Sequence, residues 1–121
     1  MRQTVLGIDI SKKDFHVVLM NENKTTKPRV FKNTPQGFES LNTWLTQQGV
    51  TLIHACMEAT SIYGDALAEF LFQAGHTVSI VNPSRIKGFA KSELIRTKTD
   101  RVDAALIARF CAAIVPQAYK I

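Results

Sequence analysis

With 121 residues and a hydrophobic fraction of 45%, the chain is the size of one domain, 1–121, and can bury a core without disulfide or metal staples. Its apolar runs fall far short of the ~20 residues a membrane span needs. The opening MRQTVLGIDI is broken by Asp9 with no small-residue cleavage site behind it, so nothing suggests export and a soluble, cytoplasmic protein is expected. The net charge of +5 arises in residues 82–121, because residues 1–81 balance seven basic against seven acidic side chains.

Residues 4–10 (TVLGIDI) are apolar on both faces, which predicts a central strand with Asp9 at its end. A second strand is expected over Phe15–Met20. The polar stretch Asn21–Thr26 then reads as a hairpin connection into a third strand around Arg29–Lys32. After Thr34-Pro35, the residues Phe38, Leu41, Trp44 and Leu45 recur at helical spacing, and Gly49 supplies the stop. A fourth strand, Thr51–Met57, delivers Glu58. A helix capped by Ser61 is expected to bury Ile62, Ala66, Leu67, Phe70 and Leu71 before Gly75 ends it and a fifth strand runs from His76 to Val81. Asn82-Pro83 opens a short basic helix to about Ala90. Thr99 or Asp100 can cap a last helix whose Val102, Leu106, Phe110 and Ala113 recur every four residues until Pro116. The order βββαβαβ followed by helices predicts an α/β, RNase H-like fold with a mixed five-stranded sheet.

Asp9, flanked by Ile8 and Ile10 in a buried strand, must be paired, hydrogen-bonded or metal-bound, since an isolated buried charge is costly. Taken alone, it could equally accept backbone N–H bonds in the turn Ile10-Ser11-Lys12. Glu58 repeats the situation on the fourth strand, which neighbours the first in this topology. Asp100 and Asp103 stand three apart at the start of the last helix and so share a face, although capping or the helix dipole would explain them as well. Four carboxylates together call for a compensating cation, and hard oxygen ligands select Mg²⁺ or Mn²⁺. Such a centre suits phosphodiester cleavage or transfer, with two ions ~4 Å apart holding the attacking and leaving oxygens.

The C-terminal basic stripe, Arg85, Lys87, Lys91, Arg96, Lys98 and Arg101, suits a nucleic-acid strand, or else is a solvated helical face. Lys12 and Lys13 could approach a phosphate near Asp9. His16, His54 and His76 are expected to be satisfied sheet histidines, and Cys56 and Cys111 buried reduced thiols. Ser11 and Ser61 have turn and capping roles, without the His-Asp arrangement of a nucleophilic triad. Tyr63 and Phe89 could stack on bases, but their helical positions favour core packing.

Three blocks, GIDISKKDFHVVL, CMEATSIYGDALAEFL and VNPSRIKGFAKSELIRTKTDRVDAALIAR, resemble the N-terminal domain of the DEDD-type insertion-sequence transposases, the group of the Piv-like DNA invertases and RNA-guided bridge recombinases. The family's four acids fall on Asp9, Glu58, Asp100 and Asp103. The resemblance implies a RuvC-like version of the RNase H fold, DNA as partner, a homo-oligomer in the full-length protein and, in some members, a structured guide RNA. It also implies a helical connector and a serine-bearing second domain, so this chain is expected to be an N-terminal fragment that is incomplete as a recombinase. Two rivals stand beside this reading. An actin-like ATPase or sugar-kinase lobe shares G-I-D-I, but Ser11-Lys12-Lys13-Asp14 lacks the glycines of a phosphate loop; a non-catalytic nucleic-acid-binding module would keep the basic stripe and use the acids only as caps.

Overall fold

A computed structural model of the chain describes residues 4–22, 24–59, 62–92 and 103–118. Strands β1 (Val5–Ile10), β2 (Asp14–Asn21), β3 (Lys24–Thr25) and β4 (Arg29–Lys32) come first; helix α1 (Pro35–Gln47) and β5 (His54–Glu58) follow. A short 3₁₀ turn, Ile62–Gly64, leads into α2 (Asp65–Gln73), then β6 (Thr77–Val81), α3 (Pro83–Ser92) and α4 (Ala104–Ile114). The order matches the expected one except for the two-residue β3, which forms because the hairpin connection itself pairs with the end of β2 through Met20 and Thr25.

The sheet runs β3-β2-β1-β5-β6, with β4 also paired to β2. β1 is antiparallel to β2 and parallel to β5, and β5 is parallel to β6. The antiparallel half follows from short hairpin links and the parallel half from the helical crossovers α1 and α2. β1 therefore lies centrally, and its alternating side chains feed two cores. Leu6 and Ile8 point with Phe15, Val17, Ala55 and Met57 into a cluster covered by α1 and α2. Val5 points with Val18, Cys56 and Val81 into a second cluster covered by α3 and α4.

Local chemistry explains the helices. Thr34 caps α1 by accepting the Gly37 N–H at 3.1 Å, and Pro35 fits the first turn, where no N–H is needed. Phe38, Leu41, Trp44 and Leu45 are buried as their spacing predicts, each such side chain contributing ~1.5–3 kcal/mol. α2 differs from expectation. It starts at Asp65, after Gly64, and buries Leu67, Ala68 and Leu71 while Ile62 and Ala66 are exposed. The 3₁₀ turn winds three residues per turn, so it shifts the phase of any stripe projected from Ile62. Ser61, the expected cap, lies outside the described residues.

α4 also starts later than expected. Asp103 is extended (φ −119°, ψ 175°) and its Oδ1 accepts the Leu106 N–H at 2.9 Å, which makes it the N-cap rather than a first-turn residue. Ala104, Leu106, Ile107, Ala108, Phe110 and Cys111 are buried, and Ala113 is exposed. At about 100° per residue Ala113 stands half a turn around the helix from Ala104, which meets β1 at Gly7, and so it points away from the sheet. Gly7 of β1 is what lets α4 approach: a Cβ there would collide with the carbonyl oxygen of Ala104 and the backbone nitrogen of Ala108, and would lie 2.9 Å from the Ala108 Cα. Among the described residues, no helix is long and apolar enough to cross a membrane.

Candidate metal centre

Alternation along β1 puts Asp9 on the same face as Val5 and Gly7, the face that carries α4. Alternation along β5 does the same for Glu58, two residues beyond Cys56. The parallel register pairs Val5 with His54 and ends with Ile8 opposite Met57; the next step sets Asp9 against Glu58. On the other side of β1, Asp9 pairs with His16 of β2, and beyond Glu58 stands Val81 of β6. One row across the sheet thus reads His16, Asp9, Glu58, Val81. Strand alternation together with the β1–β2 hairpin register is the signal that places His16 beside Asp9.

Asp9 and Glu58 are both half-buried. The Glu58 carboxyl is pushed above its ordinary value, first by burial and next by the negative charge of Asp9, while the Lys87 ammonium on α3 pulls it back. Two hard oxygen donors side by side are the kind of group that a divalent cation takes as ligands.

α4 runs opposite to β1 and β5. Its first turn crosses Gly7, and near its far end Cys111 donates to the His54 carbonyl at 3.7 Å, at the start of β5. Its N-cap, Asp103, is therefore directed to the sheet edge where Asp9 and Glu58 end their strands. Asp103 is exposed, and its capping bond uses one oxygen of a group with about four acceptor sites. Among the described residues, no three His, Cys, Asp or Glu gather closely enough to hold a metal ion. Asp100 lies outside the described residues, as do Arg96, Lys98 and Arg101.

The turn after β1 is closed from within. Ser11 N–H donates to the Asp14 carbonyl at 2.9 Å, and Ser11 Oγ donates to Asp14 Oδ1 at 2.7 Å. The Ser11 N–H and hydroxyl thus both bond to Asp14, and the turn leaves Lys12 and Lys13 exposed. Asn33, just after β4, reaches both neighbouring loops: its Nδ2 donates to the Ser11 carbonyl at 3.1 Å and to the Tyr63 carbonyl at 2.8 Å. A polar residue between a strand and a capping threonine gave no sign of this in the sequence.

Of the basic residues, Arg85, Lys87 and Lys91 are exposed on α3. Arg85 lies over the Phe110 ring at 5.5 Å, so its guanidinium also packs α3 onto α4. Phe89 meets Phe110 edge to face at 5.6 Å and belongs to the core. Tyr63 departs from the expected packing, being 42% exposed, because it sits in the 3₁₀ turn and not on the buried stripe of α2. His54 and His76 are buried and bonded, to Ser79 Oγ at 2.6 Å and to the Ile53 N–H at 3.2 Å. Cys56 and Cys111 are buried free thiols.

The chain matches the DEDD transposase family of the IS110 type over residues 6–117. It is 41% identical over 114 residues to the pilin gene-inverting proteins of Moraxella lacunata and Moraxella bovis. The match covers 93% of this chain and 35% of each relative, so the chain spans about a third of their length. Among solved structures it resembles Thermus thermophilus RuvC (TM-score 0.59, 15% identity, 93% of this chain and 96% of that one). It also resembles the fowlpox virus resolvase solved with substrate Holliday junction DNA (TM-score 0.53, 13% identity, 94% and 99% covered). These likenesses show a RuvC-like, RNase H-type fold.

Proposed function

Because the chain belongs to the DEDD transposase family, we propose that Asp9, Glu58, Asp100 and Asp103 form the divalent-metal centre of a domain that cleaves and transfers DNA strands. The observation that carries this reading is the Asp9–Glu58 juxtaposition, in which each acid ends a parallel strand and the charge of one raises the pKa of the other. Oxygen donors of this kind select Mg²⁺ or Mn²⁺, and two such ions would supply Lewis-acid stabilisation of the attacking and leaving oxygens of a phosphodiester. Asp103 contributes from the α4 side, since capping occupies only part of its carboxylate.

The remaining work falls to cations and to the fold. Lys12, Lys13, Arg85, Lys87 and Lys91 are exposed and, with Arg96, Lys98 and Arg101, are the cations proposed to meet the nucleic acid. Lys87, whose charge acts on Glu58, would hold a phosphate at the acidic pair; the others would track the backbone. Holliday junction DNA is the substrate in the resolvase complex, and a branched DNA is the class of substrate proposed here. Homo-oligomerisation, a guide RNA and completion of strand exchange are assigned to a longer protein acting in the cytoplasm. Calorimetric titration of the chain with Mn²⁺, alongside its Asp9→Asn variant, tests the proposal: the variant is expected to lose most of the binding.

A further inference from the structure

The carboxylate pair poses a positioning problem. Strand pairing between β1 and β5 ends at Ile8 and Met57, one residue short of Asp9 and Glu58, so each acid is held only from its far side, Asp9 by His16 of β2 and Glu58 by Val81 of β6. Mutual repulsion favours splaying the two strand ends apart. A bond between the two loops would oppose it.

Asn33 makes that bond. Its Nδ2 has two hydrogens and two carbonyl acceptors, Ser11 O at 3.1 Å and Tyr63 O at 2.8 Å. Because both partners are acceptors, only the NH₂ end of the amide can face them, which fixes the orientation of the side chain. Ser11 lies two residues after Asp9, and Tyr63 lies in the 3₁₀ turn that follows Glu58. Asn33 is itself anchored from both sides: its backbone N–H donates to Lys13 O at 2.9 Å, and the next residue, Thr34, caps α1. The clamp thus connects the turn after β1, the turn after β5 and a helix packed on the opposite core.

We propose that Asn33 is a positioning residue of the acidic centre, whose amide ties the loops after β1 and β5 and so fixes the spacing of Asp9 and Glu58. The proposal rests on the metal-centre reading for its function, but the clamp itself stands on the hydrogen bonds. Neither alanine nor aspartate can replace it. Alanine removes both donors, and aspartate keeps the shape while turning acceptors toward two carbonyls.

The test compares Asn33→Ala and Asn33→Asp with Thr26→Ala, which removes another side-chain bond to the backbone, Leu19 N–H to Thr26 Oγ1 at 3.0 Å, away from the acids. Amide hydrogen exchange and Mn²⁺ titration are measured on each. Both Asn33 variants are expected to speed exchange at Ser11 and Ala59, whose N–H groups donate to Asp14 O and Val81 O, and to weaken Mn²⁺ binding by about tenfold, as loss of an outer partner does at metal sites. Thr26→Ala is expected to speed exchange at Leu19 and leave Mn²⁺ affinity unchanged. Unaltered exchange at Ser11 and Ala59 overturns the proposal, as does unaltered Mn²⁺ affinity where the parent chain binds the ion. If the parent chain takes up no Mn²⁺, the metal reading fails, and the exchange measurement alone decides the clamp.

Discussion

Asp9 and Glu58 stand opposite each other on adjacent parallel strands, one step past the last bonded pair, Ile8 with Met57. Neighbouring strands lie about 5 Å apart, so two carboxylates on the same face at that step cannot ignore each other. Burial raises the pKa of Glu58, and the charge of Asp9 raises it further.

That shift has a sign that stability measurements can read. A carboxyl whose folded-state pKa lies above its unfolded value contributes stability below the unfolded value, 4.5 for Glu58, and loses it as pH rises through the folded value. At pH 7 the ionised Glu58 therefore weakens the metal-free fold. Glu58→Gln should raise the thermal midpoint by a few degrees at pH 7 and change little at pH 4, where the parent carboxyl is largely protonated. A lower midpoint at pH 7 would contradict the repulsion.

Gly7 marks where α4 touches the sheet. A methyl group there would run into the Ala104 carbonyl and the Ala108 backbone nitrogen, neither of which can swing aside as a side-chain end could. Gly7→Ala should cost about 3 kcal/mol or more in denaturant unfolding, the upper range for overpacking. It should also displace the Asp103 end of α4 from the acidic edge. A variant with parental stability would mean that α4 sits farther from β1.

Asp103 combines two roles that substitutions can separate. Asn caps a helix as well as Asp does, whereas Ala costs ~1 kcal/mol. Asp103→Ala should lose about that much stability and Asp103→Asn should lose little, yet both should weaken Mn²⁺ binding. Undiminished Mn²⁺ binding by the Asn variant would leave Asp103 as a cap alone.

How much of this could be read in the sequence depends on whether the signal was local. β1, with apolar residues on both faces and one aspartate, declares a central strand and a charge that needs company, and the structure adds only the register that supplies Glu58. The Thr34-Pro35 cap and the Phe38-Leu41-Trp44-Leu45 stripe are equally local and were legible. The start of α4 was not, because Asp100 and Asp103 are both competent caps and only the Leu106 N–H shows which one is used. Asn33 was invisible for a different reason: its partners, Ser11 and Tyr63, are 22 and 30 residues away, and no periodicity encodes a side chain bonded to distant carbonyls. His16 was legible in principle, since alternation along β2 and a hairpin register place it beside Asp9.

The basic residues make a graded prediction. Each phosphate contact contributes a slope of about 0.9 to the logarithmic salt dependence of duplex binding. Neutralising Lys87 should reduce that slope by about one and weaken binding of branched DNA. Salt-independent binding would place DNA, if bound at all, on some other surface.

The central claim is that the acids at the ends of β1 and β5 hold a divalent cation. Calorimetric titration of the 121-residue chain with Mn²⁺, repeated on Asp9→Asn and Glu58→Gln, tests it most directly. Binding by the parent chain that either substitution largely abolishes is the predicted result; equal and negligible heats for all three proteins would contradict it.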